Sequence, residues 1–252
     1  MRTRFVTALA LAPILVLAPA APAAQADVVD GTAGADVLVG TPRDDIITAR
    51  AGDDVVRALG GDDVVHGGAG RDRLRGNTGD DELSGGPRRD RLFGGGGDDL
   101  LRGRAGPDQL DGRGGDDTLR GGPGRDTAFG WGGADVLSGG PAGDSLSGGS
   151  GDDRIHGGPG EDSITDFVPT SFNGAPDDTD VVVAGRGDDS IGVQDGADRV
   201  FAGRGDDRIR MNDDGFVDVV VCGPGADVVV YFGFDPLDRL RSCERVVVRP
   251  AG

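Results

Sequence analysis

Between Gly31 and Thr165 an aspartate occupies every ninth residue without exception. The segment divides into fifteen nonamers, from GTAGADVLV at 31–39 to GGPGEDSIT at 157–165, and Asp is sixth in each. The eighth place is Leu, Ile or Val in all but one, where it is Ala128. A helix repeats at 3.6 residues and a strand at 2, so neither alone gives a period of nine. Self-similarity at a fixed longer period marks a supersecondary unit stacked upon itself.

The places within the unit set its shape. Places one to six are Gly, polar or Pro, which is turn chemistry. Places seven to nine form a short extended piece in which place eight points inward and its neighbours outward. Two units then make one coil of eighteen residues, and coils stack at about 4.8 Å. The expectation is an all-β chain: a right-handed parallel β-roll, a two-sheet β-solenoid with 18 residues per coil. Alternation at place five supports the two-unit coil. It is Asp at Asp44, Asp62, Asp80, Asp98, Asp116 and Asp152, all in even-numbered units, with Asp53 in unit 3 the exception.

Residues 27–165 form the first block. The nonamer DFVPTSFNG at 166–174 lacks the pattern and reads as an irregular turn or loop. If it counts as half a coil, Asp188 and Asp206 fall on the even edge. The period resumes over 175–241 as a second, degenerate block, with two extra residues at Met211-Asn212 and two at Tyr231-Phe232. Residues 242–252 read as a closing strand, ERVVV, and a tail.

The first 26 residues carry Arg2 and Arg4, an apolar run and the small-residue site Ala24-Gln25-Ala26. This reads as a secretory signal peptide cut between Ala26 and Asp27, which implies a secreted, extracellular protein with no membrane span after cleavage. In that setting the two cysteines, Cys222 and Cys243, suggest one disulfide. They are one coil plus the Tyr231-Phe232 insertion plus one place apart, so they fall near each other on adjacent rungs.

The chain of 252 residues has a formal charge of −18, and all 26 basic residues are Arg. Nucleic acid is not an expected partner, since binding phosphates needs a basic face. Cations are. Two arguments point to metal. One buried aliphatic side chain per nine ordered residues leaves the backbone entropy uncovered. Stacking also sets each place-six carboxylate directly over the next, so the rows repel unless a cation sits between them. Ca²⁺ takes 6–8 oxygens in flexible geometry, and Gly-rich turns let carbonyls converge.

GGAGRDRLR at 67–75, GGGGDDLLR at 94–102 and GGSGDDRIH at 148–156 match the unit GGxGxDxUx, with U a large aliphatic. In this the chain resembles the hemolysin-type (RTX) calcium-binding nonapeptide-repeat family. The resemblance implies several Ca²⁺ ions between turns, held by place-six aspartates and turn carbonyls, and folding on meeting calcium outside the cell. Carried over, the metal residues are Asp63, Asp72, Asp81, Asp90, Asp99, Asp108, Asp117, Asp126, Asp135, Asp144, Asp153, Asp162, Asp189 and Asp207. Departures are Ala49, Ala58, Ala175, Ala184, Val193 and Ala202 at place one, and Arg43, Arg88 and Ala142 at place four.

Other signals fall into the repeat register. GDSL at 143–146 copies a hydrolase nucleophile block, but Asp144 and Leu146 have structural duties, and no catalytic residue is assigned to Ser145. His66 and His156 occupy place nine and face outward, and Trp131 is a turn-surface aromatic. Arginines at places seven and nine, such as Arg73, Arg75, Arg91, Arg102, Arg120 and Arg154, form a stripe suited to charge balance or to an anionic wall polymer. The functional expectation is a non-enzymatic calcium-binding structural or adhesive module, with a cell-surface or matrix polysaccharide as a partner. The alternative is a calcium-dependent accessory of an extracellular system acting on polysaccharide or lipid.

Overall fold

The computed structural model describes residues 14–17, 27–165, 178–194, 196–212, 216–233 and 238–249. Every regular element among them is a strand, and no helix there is long and apolar enough to cross a membrane. The chain falls into two compact units, Met1–Asp126 and Thr127–Gly252. In each, successive strands alternate between two sheets, and each strand pairs in parallel with the strand two along.

In the first unit one sheet runs Ile14–Leu17, Asp36–Val39, Val55–Gly60, Arg73–Thr78, Arg91–Gly96, Gln109–Gly114. The other runs Asp27–Asp30, Asp45–Thr48, Val64–His66, Glu82–Pro87, Leu100–Ala105, Thr118–Arg120. Register sets Val56 beside Leu74, Leu74 beside Leu92 and Leu92 beside Leu110. In the facing sheet Val65, Leu83, Leu101 and Leu119 form the same kind of row. All eight have 0% exposure. Place eight therefore supplies the main rows of the core, one side chain deep from each sheet, with Ala49 and Ala58 buried beside them at place one, and the coil is two nonamers. Ile14–Leu17, inside the segment read as a signal peptide, pairs with Asp36–Val39.

The second unit repeats the plan with two changes of length. Asp153 bonds to Asp180, 27 residues on, and Arg154 pairs with Val181 while Ser163 pairs with Ser190. The coil containing 166–174 is longer by one nonamer rather than shifted by half a turn. Asp188 and Asp206 consequently follow the odd units, and the expectation of the even edge is corrected. Residues 166–174 themselves lie outside the described residues.

The two-residue insertions are not independent of each other. Met211 pairs with Tyr231 and Asn212 with Phe232, so each extends its strand beside the other. Met211 and Tyr231 are both buried to 1% exposure, which gives this coil apolar bulk that the short strands lack. Arg245–Arg249 pairs in parallel with Val228–Phe232 in that sheet. Cys222 and Cys243 are bridged, with Cα atoms 5.1 Å apart, and tie the last turn to the coil before it.

Candidate metal centre

The turn at 94–99 shows what the repeat sequence does. Gly95 and Gly97 have φ of 140° and 119°, values that disfavour a Cβ. Several other residues at these places also take positive φ: Arg50, Leu59, Asn77, Arg104, Arg113 and Trp131 at place two, Arg88 and Ala142 at place four. Place one obeys a different constraint. A Cβ on Gly103 would stand 2.6 Å from Asp108 Oδ2 and 2.8 Å from the Gly121 carbonyl oxygen. Glycine leaves open a space on which a carboxylate oxygen of its own turn and a carbonyl oxygen of the next coil converge, and which a methyl group would fill.

The place-six carboxylates divide their two oxygens. In the first unit Asp81 N–H donates to Asp99 Oδ1 at 2.9 Å and Asp99 N–H to Asp117 Oδ1 at 2.8 Å. On the opposite edge Asp72 N–H donates to Asp90 Oδ1 and Asp90 N–H to Asp108 Oδ1, both at 2.8 Å. The second unit has the same ladder through Asp135, Asp153 and Asp180, and through Asp144, Asp162, Asp189 and Asp207. All fourteen sequence-predicted aspartates occupy it, and none is more than 3% exposed.

The second oxygen is different. On Asp63, Asp72, Asp81, Asp90, Asp99, Asp108, Asp153, Asp162, Asp189 and Asp207, Oδ2 is buried with no hydrogen-bond partner among the described residues. An acceptor buried in this way costs free energy unless something satisfies it. Titration carries the same message. Burial pushes the Asp63 and Asp153 carboxyls up to about 8, and Asp90, Asp99 and Asp189 up to about 7. The N–H bond from the preceding rung opposes the rise in each, while carboxylates on neighbouring rungs add to it.

A hard cation fits this donor set: oxygen only, anionic, buried, and flanked by carbonyls that the glycine leaves uncovered. No three His, Cys, Asp or Glu side chains converge among the described residues, so a cation would need backbone carbonyls as well as carboxylates. Not every rung fits equally. Asp63, Asp189 and Asp207 belong to units that open with Ala58, Ala184 and Ala202, all fully buried, and a methyl group there occupies the place glycine leaves open.

Sequence reasoning missed several members of the ladder. Asp54, Asp180, Asp198, Asp218 and Asp227 are buried in it, and their sixth place was the available signal. Asp36 and Asp45 are also in register but satisfied by their own turns. Thr32 donates its N–H to Asp36 Oδ2 at 2.6 Å and its hydroxyl at 3.0 Å. Thr41 N–H donates to Asp45 Oδ2 at 2.5 Å. At the far end Glu244 Oε2 accepts from Asp227 N–H at 2.9 Å, a glutamate standing in for the next aspartate.

The place-five aspartates form a second, exposed ladder running the other way. Asp62, Asp80, Asp98 and Asp116 each donate N–H to the carboxylate one coil earlier, at 2.8 to 3.0 Å. Of the signals set aside, Ser145 lies in one sheet and His156 in the other. Trp131 is 43% exposed on its turn.

A family model described as the RTX calcium-binding nonapeptide repeat matches the chain at residues 24–41, 30–65, 39–74, 75–110, 111–144, 138–165 and 177–209. Together these matches cover well over half of the chain. Comparison with curated proteins finds no match.

Proposed function

The chain belongs to the RTX calcium-binding nonapeptide-repeat family, and from that premise we propose that it is a secreted, non-enzymatic calcium-loaded roll serving as a structural or adhesive module outside the cell. The observation that carries the reading is the row of buried Oδ2 atoms beside glycines whose missing Cβ leaves room for an ion. Calcium would supply the charge that each pair of stacked carboxylates lacks. The residues that would hold it in the first unit are Asp72, Asp81, Asp90, Asp99 and Asp108, with carbonyls of the place-one residues one coil on. Asp153 and Asp162 would do so in the second.

The chain's own residues do the rest. The N–H of one rung fixes each carboxylate through Oδ1 and so aims Oδ2 at the turn. Burial keeps that oxygen away from water, and the glycines bring carbonyls close. Folding is then coupled to binding, because the carboxylates are brought together only in the coil. Export through the N-terminal leader, with cleavage between Ala26 and Asp27, would deliver the chain to a calcium-rich medium. Far-ultraviolet circular dichroism and native mass spectrometry of the chain lacking residues 1–26 test this. Addition of calcium should produce strand signal and a mass gain of several calcium ions. Strand signal that chelator leaves unchanged, with no calcium in the native mass, would refute the reading.

A further inference from the structure

On the outer face of the first unit's sheet that holds Arg73–Thr78 and Arg91–Gly96, three guanidinium groups gather about one ring and two more stand beside them in register. Register sets Arg57 beside Arg75, Arg75 beside Phe93, and Arg73 beside Arg91 on adjacent strands. The Cζ atoms of Arg73, Arg75 and Arg113 lie 5.3, 5.5 and 5.9 Å from the Phe93 ring centroid. Like charges directly opposite on neighbouring strands are destabilising. Arg75 shows the repulsion: the charge of Arg73 first, then desolvation and the charges of Arg57 and Arg113, lower its hold on its proton.

Elsewhere arginines meet acids. Arg43 pairs with Asp27 at 2.9 Å and Arg50 with Asp30 at 3.4 Å, and Arg102 pairs with Glu82. In this patch only Arg113 does so, with Asp111 at 3.5 Å. Arg57, Arg73, Arg75 and Arg91 make no ion pair among the described residues, and Arg73 Nε is buried without a hydrogen-bond partner. The cluster thus has both unmet charge and an unmet donor, held in place by cation–π contact with Phe93.

We propose that this face binds an acidic polysaccharide, whose carboxylate or sulfate groups bridge the guanidinium columns of neighbouring strands. Guanidinium forks match such groups bidentately. The four charges without an ion pair span three strands, about 10 Å at the usual spacing, which a chain of sugars covers and a single small anion does not. Duplex nucleic acid, a stiff rod with one charge per about 1.7 Å, would press more of its charge against the exposed acidic row of Asp62, Asp80 and Asp98 than a single flexible sugar chain does. The proposal rests on the calcium-loaded reading only in requiring a folded sheet.

The test is biolayer interferometry of the calcium-saturated protein against dextran sulfate, neutral dextran and a duplex DNA. Strand signal and calcium count are recorded on the same samples. Binding to dextran sulfate alone is expected. Arg73→Gln with Arg75→Gln should weaken it at least about tenfold with calcium count unchanged. Arg120→Gln with Arg154→Gln, which changes exposed arginines outside the cluster, should alter it less than about twofold. Phe93→Leu is the second variant if the double change disturbs folding, and it too should weaken binding. No binding of dextran sulfate, equal loss in the Arg120/Arg154 variant, or tighter binding of DNA would overturn the proposal. Binding that depends on Arg73 and Arg75 in a folded protein that takes up no calcium would leave it standing and remove the functional reading instead.

Discussion

Replacing Gly103 by alanine separates the space for an ion from the fold around it. A Cβ there would lie 2.6 Å from Asp108 Oδ2, whereas ordinary contact begins at 3.4 Å. The carboxylate oxygen must therefore retreat by roughly 0.8 Å, several times the tolerance of a metal–oxygen bond. Gly103 has no left-handed φ, so the substitution adds no backbone strain of that kind. Four turns already carry alanine at this place, Ala49, Ala58, Ala184 and Ala202, each fully buried. The folded state should survive in saturating calcium, while the turn loses one ligand and calcium affinity there falls about tenfold, or about 1.4 kcal/mol. Native mass spectrometry should show one calcium fewer at limiting concentration, and the calcium midpoint read by circular dichroism should rise. Gly96→Ala is the control, since a Cβ there meets no atom within 4 Å. An unchanged calcium number in Gly103→Ala, or an equal loss in Gly96→Ala, would refute the reasoning.

Three further outcomes follow from the same geometry. Asp99→Asn keeps an oxygen to accept the Asp81 N–H and removes the charge, so it should raise the calcium midpoint; Asp98→Asn, on the exposed ladder, should leave it nearly unchanged in the same titration. The pH response of the metal-free chain should run opposite to that of calcium binding. Asp63 and Asp99 are held at about 8 and about 7 when folded against 3.8 as the ordinary value, so the folded state binds protons that the unfolded state has released. Its stability is then greatest below pH 4 and lost as pH rises through 7 to 8. Calcium must displace those protons and should bind more tightly at pH 8 than at pH 5.5, with proton release seen calorimetrically as heat that varies with the buffer; more metal-free strand at pH 8 than at pH 5 would contradict this. Cys222→Ser with Cys243→Ser should destabilise the last coil by roughly 3 kcal/mol, read as faster hydrogen exchange over 239–249 with 67–120 unaffected.

The period made much of this legible. Place eight pointed inward because strands alternate, and every place-eight residue from Leu38 to Ile164 is buried. Place six stacked because the coil is two units, and all fourteen expected aspartates are on the ladder. The period could not show how a carboxylate divides its oxygens, because that depends on which N–H of the neighbouring rung lies within reach. Nor could it show Thr32 and Thr41 closing Asp36 and Asp45, since Thr at place two reads only as turn chemistry. Glu244 escaped because its longer side chain reaches the same N–H from outside the register. The misplacement of Asp188 came from counting nine residues as half a turn. A coil tolerates an insertion of any length at a turn, provided the strands on either side pair again.

The rungs at the chain's two ends differ from those between them in a way the ion argument explains. A cation lodged between coils needs a turn on each side, and a terminal rung has a neighbour on one side only. Repeat arrays accordingly need ends that do not rely on the next repeat. In the first unit Asp36 and Asp45 bond to threonines of their own turns. In the second, Glu244 takes up the Asp227 N–H and a disulfide fixes the turn beside it. Thr32 and Thr41 thus satisfy the Oδ2 oxygens of the first two described rungs, whereas Asp227 Oδ2 stays buried with no hydrogen-bond partner among the described residues. Glu244 and the disulfide complete the Oδ1 ladder and fix the last turn without closing that oxygen. If a proton on each carboxyl satisfied the buried Oδ2 atoms, the first two rungs would need no threonine; their departure from the repeat argues for an ion at the rungs where no threonine stands, Asp227 included.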